Sequence, residues 1–267
     1  MNDSLTRRFF LPSLATAPLA ASVGVPGSPS TGMARTPAGY IDSRKVLLWE
    51  ITRKEFREAL EGGIIKAAIV PTGSSEQHQE HLAMIHDSAS VTLVAQQAAL
   101  QLYPQTVVAT PVSIGISPHW MQYKGTLTLK KETFLAVVFE VCESLKIHGV
   151  KNILILNGHG GNVAPLKEAV AGFRDKLGVN VAFNSYWDAY SPETVKKFMA
   201  SGRLPGHAGE FETSFAMAAF PERIHWENIP EKEKYDEALL ATTAKGEALI
   251  GMAVDWVANR VKQMIAG

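Results

Sequence analysis

Twice in this chain a short apolar run stops at a polar, glycine-bearing loop and gives way to a helical pattern. The first run, Ile64 to Val70 around Lys66, enters Pro71-Thr72-Gly73-Ser74-Ser75. The second, Asn152 to Leu156, enters Asn157-Gly158-His159-Gly160-Gly161-Asn162 and then a helix reaching about Lys176. Strand, glycine turn and helix in succession specify an α/β fold with a central, mainly parallel sheet flanked by helices. Open sheets of this class bind ligands at the carboxyl ends of their strands, which is where both loops fall.

A chain of 267 residues, 46% of them hydrophobic, can bury the core of one substantial α/β domain, and no internal repeat or second domain is visible. Formal net charge is zero, so there is no basic field to attract nucleic acid and no acidic tail for a cationic partner; small or neutral ligands fit better. The single cysteine, Cys142, lies in an apolar helical pattern, which excludes an intrachain disulfide and a cysteine-rich metal site and reads as a buried thiol.

The amino terminus is a different kind of segment. Thr6-Arg7-Arg8-Phe9-Phe10-Leu11 precedes a weakly apolar stretch to Val25 and a Pro/Gly/Ser-rich tract. This resembles a twin-arginine export signal with cleavage after Ala21 or Ala34, as against a merely disordered tail. The expectation is a signal peptide and linker over residues 1–34, a periplasmic domain over 35–267, and no membrane anchor, because Pro12 and Pro18 interrupt the short apolar stretch. Twin-arginine export carries folded proteins, so a metal could be loaded before transport.

Further elements follow from periodicity. Ser88 to Leu102 is predicted as a helix capped by Asp87 or Ser88. Thr106 to Val112 reads as a strand, and the loop through Trp120 to Gly125-Thr126 should face the site. A helix over Thr133 to His148 packs through Phe134, Val137, Val138, Val141 and Leu145. A strand over Val179 to Ser185 follows. Pro221 to Glu237 is charged and irregular, a solvated surface or subunit contact. A last helix is expected from Leu239 to Ile265.

The chemistry concentrates between Ile69 and Asp87, where His78, His81 and His86 share one segment with Glu76, Glu80 and Asp87. In an extended loop, residues two apart project to the same side, so Glu76 and His78 can reach one centre and Asp87 can return to it. His159 joins them if the two strands are neighbours. Its glycine loop could instead cradle a phosphate at the helix start, although the usual lysine and threonine are missing. Glu210 and Glu212 open another helix, and residues two apart diverge, so one of them points inward. His86 is either a partner of Asp87 or an exposed loop residue.

These residues resemble the creatininase (creatinine amidohydrolase) family through Gly73-Ser74-Ser75-Glu76-Gln77-His78 with His81, Leu82 and Asp87; Gly125-Thr126; the Asn157–Asn162 glycine loop; His207-Ala208-Gly209 with Glu212-Thr213-Ser214; and Ala241-Thr242-Thr243-Ala244-Lys245-Gly246. The resemblance implies a compact α/β fold, a homohexamer, and two divalent metals per chain (zinc, manganese or iron) bridged by a hydroxide that cleaves a C–N bond. Glu76 and His159 would then bind one metal, His78 and Glu212 the other, and Asp87 both; His207 would deliver a proton to the departing nitrogen. Gly160 and Gly161 replace the tyrosine and metal-binding glutamate of true creatininases, and Arg203 stands where a tryptophan is expected, which leaves Trp120 and Trp187 as aromatic contacts for substrate. The expected activity is hydrolysis of a small cyclic amide or formamide, with a short-peptide peptidase or a non-catalytic small-molecule binding protein as alternatives.

Overall fold

The computed structural model describes residues 45–229 and 237–267, so the predicted export segment lies outside the described residues. Four strands, β1 (Ala67–Thr72), β2 (Thr106–Val108), β3 (Asn152–Asn157) and β4 (Asn180–Ser185), form one parallel sheet in the order β2-β1-β3-β4. The register aligns Thr72 with Asn157 and Asn157 with Ser185. The two glycine loops therefore leave the sheet side by side, as the sequence reading requires.

Among the described residues seven α-helices accompany the strands: α1 (Arg53–Glu61), α2 (His86–Gln101), α3 (Lys131–Ile147), α4 (Val163–Leu177), α5 (Pro192–Phe198), α6 (Glu210–Ala219) and α7 (Thr243–Ala266). Alternating strand residues divide the core between two faces. Ile69, Leu154, Leu156 and Ala182 pack with Val91 and Val94 of α2, Phe211 and Phe215 of α6, and Leu249 and Val257 of α7. Ala68, Val70, Ile153, Ile155 and Val181 pack with Phe134, Val138 and Cys142 of α3 and Leu166 and Phe173 of α4. Both faces are covered, which is why β1 and β3 are apolar at successive positions instead of alternating. Each fully buried Leu or Ile contributes roughly 1.5–3 kcal/mol, so this double layer is a rigid base for the loops above it.

Several boundaries and faces differ from the sequence expectation. Strand β2 is shorter, although Val112 still accepts the amide of Gly73. Val137 is exposed because it sits at the edge of a buried stripe that runs through Phe134, Val138, Cys142 and Leu145. The final helix starts at Thr243, where the Thr242 side chain accepts the Lys245 amide; Leu239 belongs to the turn before it. The Pro221–Glu237 stretch is more than solvated surface: Arg223 and His225 hydrogen-bond the 81–83 loop and Ile224 is buried beside Leu82. Residues 230–236 are outside the described residues. No helix among the described residues is long and apolar enough to cross a membrane.

Candidate metal centre

The loop after β1 carries Glu76 and His78, the first turn of α2 carries Asp87, the loop after β3 carries His159, and the first turn of α6 carries Glu212; all five are buried. Gly158 makes this convergence possible, since a Cβ there would stand 2.7 Å from the Asp87 carbonyl oxygen and force α2 away from β3. Asp87 does not cap α2: the residue before the helix is Ile85, which makes no side-chain cap, and the carboxylate turns inward instead.

Its two oxygens face different histidines. Asp87 Oδ1 lies 2.9 Å from His78 Nε2, and Oδ2 lies 2.8 Å from His159 Nδ1. Each ring is oriented by its other nitrogen. His78 Nδ1 donates to the Glu76 carbonyl at 3.1 Å, which leaves Nε2 as the donor atom for a cation. His159 Nε2 lies 3.1 Å from the Ile116 carbonyl, which only accepts, so the ring nitrogen free to ligate is Nδ1. Glu76 Oε1 stands 3.4 Å from His159 Nδ1, and Glu212 Oε2 stands 3.9 Å from His78 Nε2. The atoms thus fall into two groups able to hold an ion, Glu76–Asp87–His159 and His78–Asp87–Glu212, with Asp87 common to both.

The electrostatics fit cations at these positions. Three buried carboxylates meet two imidazoles, and Glu76 Oε2 is buried with no hydrogen-bond partner, an orphan that a cation would satisfy. Burial alone would lower the basicity of His78, but the Asp87 carboxylate overrides it and lifts the pKa to about 10. Burial is likewise overridden at His159, by hydrogen bonds to Asp87 and Glu76, again to about 10. Protons held between a ring nitrogen and a carboxylate oxygen thereby occupy the positions a metal would take. Burial pushes Glu212 up to about 7, with Asp87 and Glu76 adding like-charge repulsion against the attraction of His78.

Around this centre the remaining site residues divide. His207 lies over His78, ring centroids 4.6 Å apart, with Nδ1 3.8 Å from Glu76 Oε1. Trp120, on a short 3₁₀ turn of the 113–126 loop, stacks on His207 at 4.5 Å and 16°. Trp187 packs instead against the core, its ring 5.2 Å from Tyr186, so the tryptophan that meets His207 is Trp120. Gly160 is exposed, and a Cβ there would meet nothing within 4 Å, whereas a Cβ on Gly161 would stand 2.0 Å from the Ile116 carbonyl oxygen. Glu210 points away from the centre, paired with Lys245 and accepting the amides of Ala200 and Ser201. His86 is buried rather than exposed, its pKa pushed down to about 3 by burial, and its ring lies edge-on to Phe215. His81 reaches Thr213 at 3.0 Å.

Three supporting residues escaped the sequence reading. Buried Ser117 meets both Ser74 Oγ at 2.8 Å and His159 Nε2 at 3.1 Å. Asn162 ties three loops together, donating to the Gly73 carbonyl and accepting the Ile116 amide. Gln77 contacts His207. Asn162, inside the glycine motif, and Gln77, between Glu76 and His78, carried signals that could have found them; Ser117 carried none.

Fold and site together define an α/β protein with a carboxylate–histidine centre at the carboxyl ends of parallel strands. The family model described as Creatininase: Creatinine amidohydrolase matches residues 49–247, and the chain belongs to this family of hydrolases. Creatinine amidohydrolase of Pseudomonas putida is 23% identical over 260 residues, covering 83% of this chain and 98% of its own. The 3-dehydro-scyllo-inosose hydrolase of Thermotoga maritima is 31% identical over 183 residues, covering 66% and 57%. A mycofactocin precursor peptide peptidase of Mycobacterium ulcerans is 27% identical over 163 residues, covering 58% and 59%. Solved creatininases share the fold: a zinc–zinc form at 23% identity and a manganese form at 22%, each with TM-score 0.73 over 84% of this chain and 100% of theirs.

Proposed function

We propose that this protein is a binuclear metal-dependent amidohydrolase that cleaves the C–N bond of a small cyclic amide or formamide. The observation that carries the reading is the division of Asp87 between two histidines, each half completed by a different glutamate. Glu76, Asp87 and His159 would hold one divalent cation, and His78, Asp87 and Glu212 the other; when bound, such a pair supplies Lewis acidity at a carbonyl and acidifies water. The chain's own residues do the rest. The Asn162 and Ser117 contacts hold the loops in register, His207 faces the centre, and Trp120 stacks on His207 and closes that side of the site. Names of relatives that contain zinc or manganese and hydrolyse small molecules support the assignment.

A peptide substrate is the second reading, favoured by Gly160. Without a side chain there the site has open space beside His159, and peptidases stand among the relatives. We further infer a homohexameric, periplasmic enzyme exported through Arg7-Arg8, followed by Phe9. Metal analysis of the purified full chain, followed by hydrolysis assays on creatinine, hydantoins, formamides and short peptides, tests the catalytic reading; a protein without divalent metal and without turnover would overturn it. Cell fractionation of the wild type against Arg7→Lys/Arg8→Lys tests export.

A further inference from the structure

We propose that Gln77 holds His207 in its Nδ1–H tautomer, making the histidine a fixed hydrogen-bond donor toward the reacting centre rather than a metal ligand. The consequence for turnover rests on the hydrolytic reading above; the tautomer itself does not.

The argument starts from an atom whose polarity is not in question. The backbone N–H of Gln79 donates to Gln77 Oε1 at 3.0 Å, and a backbone N–H can do nothing else. This commits the amide oxygen and turns the amide nitrogen toward His207, where Nε2 meets Nε2 at 2.8 Å. The amide nitrogen can only donate, so His207 Nε2 must accept, and the proton of the neutral ring sits on Nδ1. Nδ1 is the atom directed to the centre, 3.8 Å from Glu76 Oε1.

The backbone on both sides is built to hold this pair. Gln79 has φ +56° and Ala208 has φ +51°, left-handed conformations that residues with side chains seldom adopt. One lies two residues after Gln77, the other immediately after His207. Such conformations persist where the surroundings over-determine them, and they gather at functional sites. Here the Gln79 amide fixes Gln77, the Ala208 amide is bound by Glu212, and Trp120 covers the face of the imidazole.

One role is thereby closed to His207. Glu76, His78 and His207 lie near enough to one another to hold an ion, yet a protonated Nδ1 offers no lone pair to it. His207 instead turns its Nδ1–H toward the substrate's oxygen or departing nitrogen. Gln77 is its positioning residue.

The test is the ¹⁵N shift of the His207 ring in the full chain labelled at histidine, metal-free and zinc-loaded, with His207→Ala identifying the resonances. Nδ1 should be protonated in the wild type. Gln77→Glu, equal in size but only an acceptor, should move the proton to Nε2 and leave bound zinc unchanged. Its kcat should fall about 100-fold with little change in KM. Gln77→Met, which removes the donor without adding charge, should give a mixture of tautomers. A wild-type ring protonated at Nε2, a tautomer indifferent to both substitutions, or loss of zinc in His207→Ala would overturn the proposal. Because the shifts are read without substrate, a protein that hydrolyses no amide while its tautomer follows Gln77 would sink the hydrolytic reading and leave this one standing.

Discussion

Glu212 Oε2 lies 3.9 Å from His78 Nε2, on a carboxyl group that burial pushes up to about 7 while His78 is held protonated up to about 10. Both groups must shed protons before they can ligate. Below pH 7 the metal-free centre carries protons on Glu212, His78 and His159; raising the pH first removes the one on Glu212. Affinity for zinc should therefore increase with pH, steepest below pH 7 and with a shallower slope above it once Glu212 has lost its proton, and binding should release protons into the buffer. Titration calorimetry in buffers of different ionisation enthalpy reads both; pH-independent affinity would contradict the ligand set.

Asp87→Ala removes the carboxylate common to both groups. Two like-charged imidazoles would then have lost their shared counter-charge, so metal content should fall from two ions to below one per chain and turnover should become undetectable. Elemental analysis of the purified variant decides the point, and retention of two ions would refute the bridging role.

His207→Ala should behave differently. It deletes a donor that faces the centre without removing a ligand, so bound metal should remain and kcat should drop about 10²- to 10³-fold. Parallel metal analysis and steady-state kinetics separate this outcome from that of Asp87→Ala.

The neighbouring glycines offer a paired test of packing. Gly161→Ala would drive a Cβ to 2.0 Å from the Ile116 carbonyl and 2.6 Å from His159 Nε2. It should cost about 1–3 kcal/mol and weaken metal binding. Gly160→Ala points into open space and should change stability by less than about 0.5 kcal/mol. Thermal melts of the two variants, with and without zinc, measure the contrast.

The sequence made the two glycine loops, the strands that feed them and four of the five converging ligand residues legible, because those features are local: an apolar run, a glycine turn, carboxylates spaced for one side. Helices α1 and α5 went unread despite visible caps, Thr52 with Glu55 and Ser191 before Pro192. Their positions on short amphipathic stretches made periodicity a weak guide. The choice between Glu210 and Glu212 needed the structure, since it depends on Lys245, 35 residues away, drawing one of them outward. His86 and Ser117 were illegible for a related reason: a polar residue in a loop reads as exposed until the loop that covers it is known.

The pairing of β1 with β3 joins residues 85 apart, Thr72 and Asn157, and every candidate ligand sits on a segment anchored by that pairing or packed upon it. Half-folded chains, lacking this long-range closure, have nowhere to seat an ion. Zinc or manganese retained by a chain thus certifies that its slowest contacts have formed, and a secretion route that accepts only finished proteins would receive the cargo already charged.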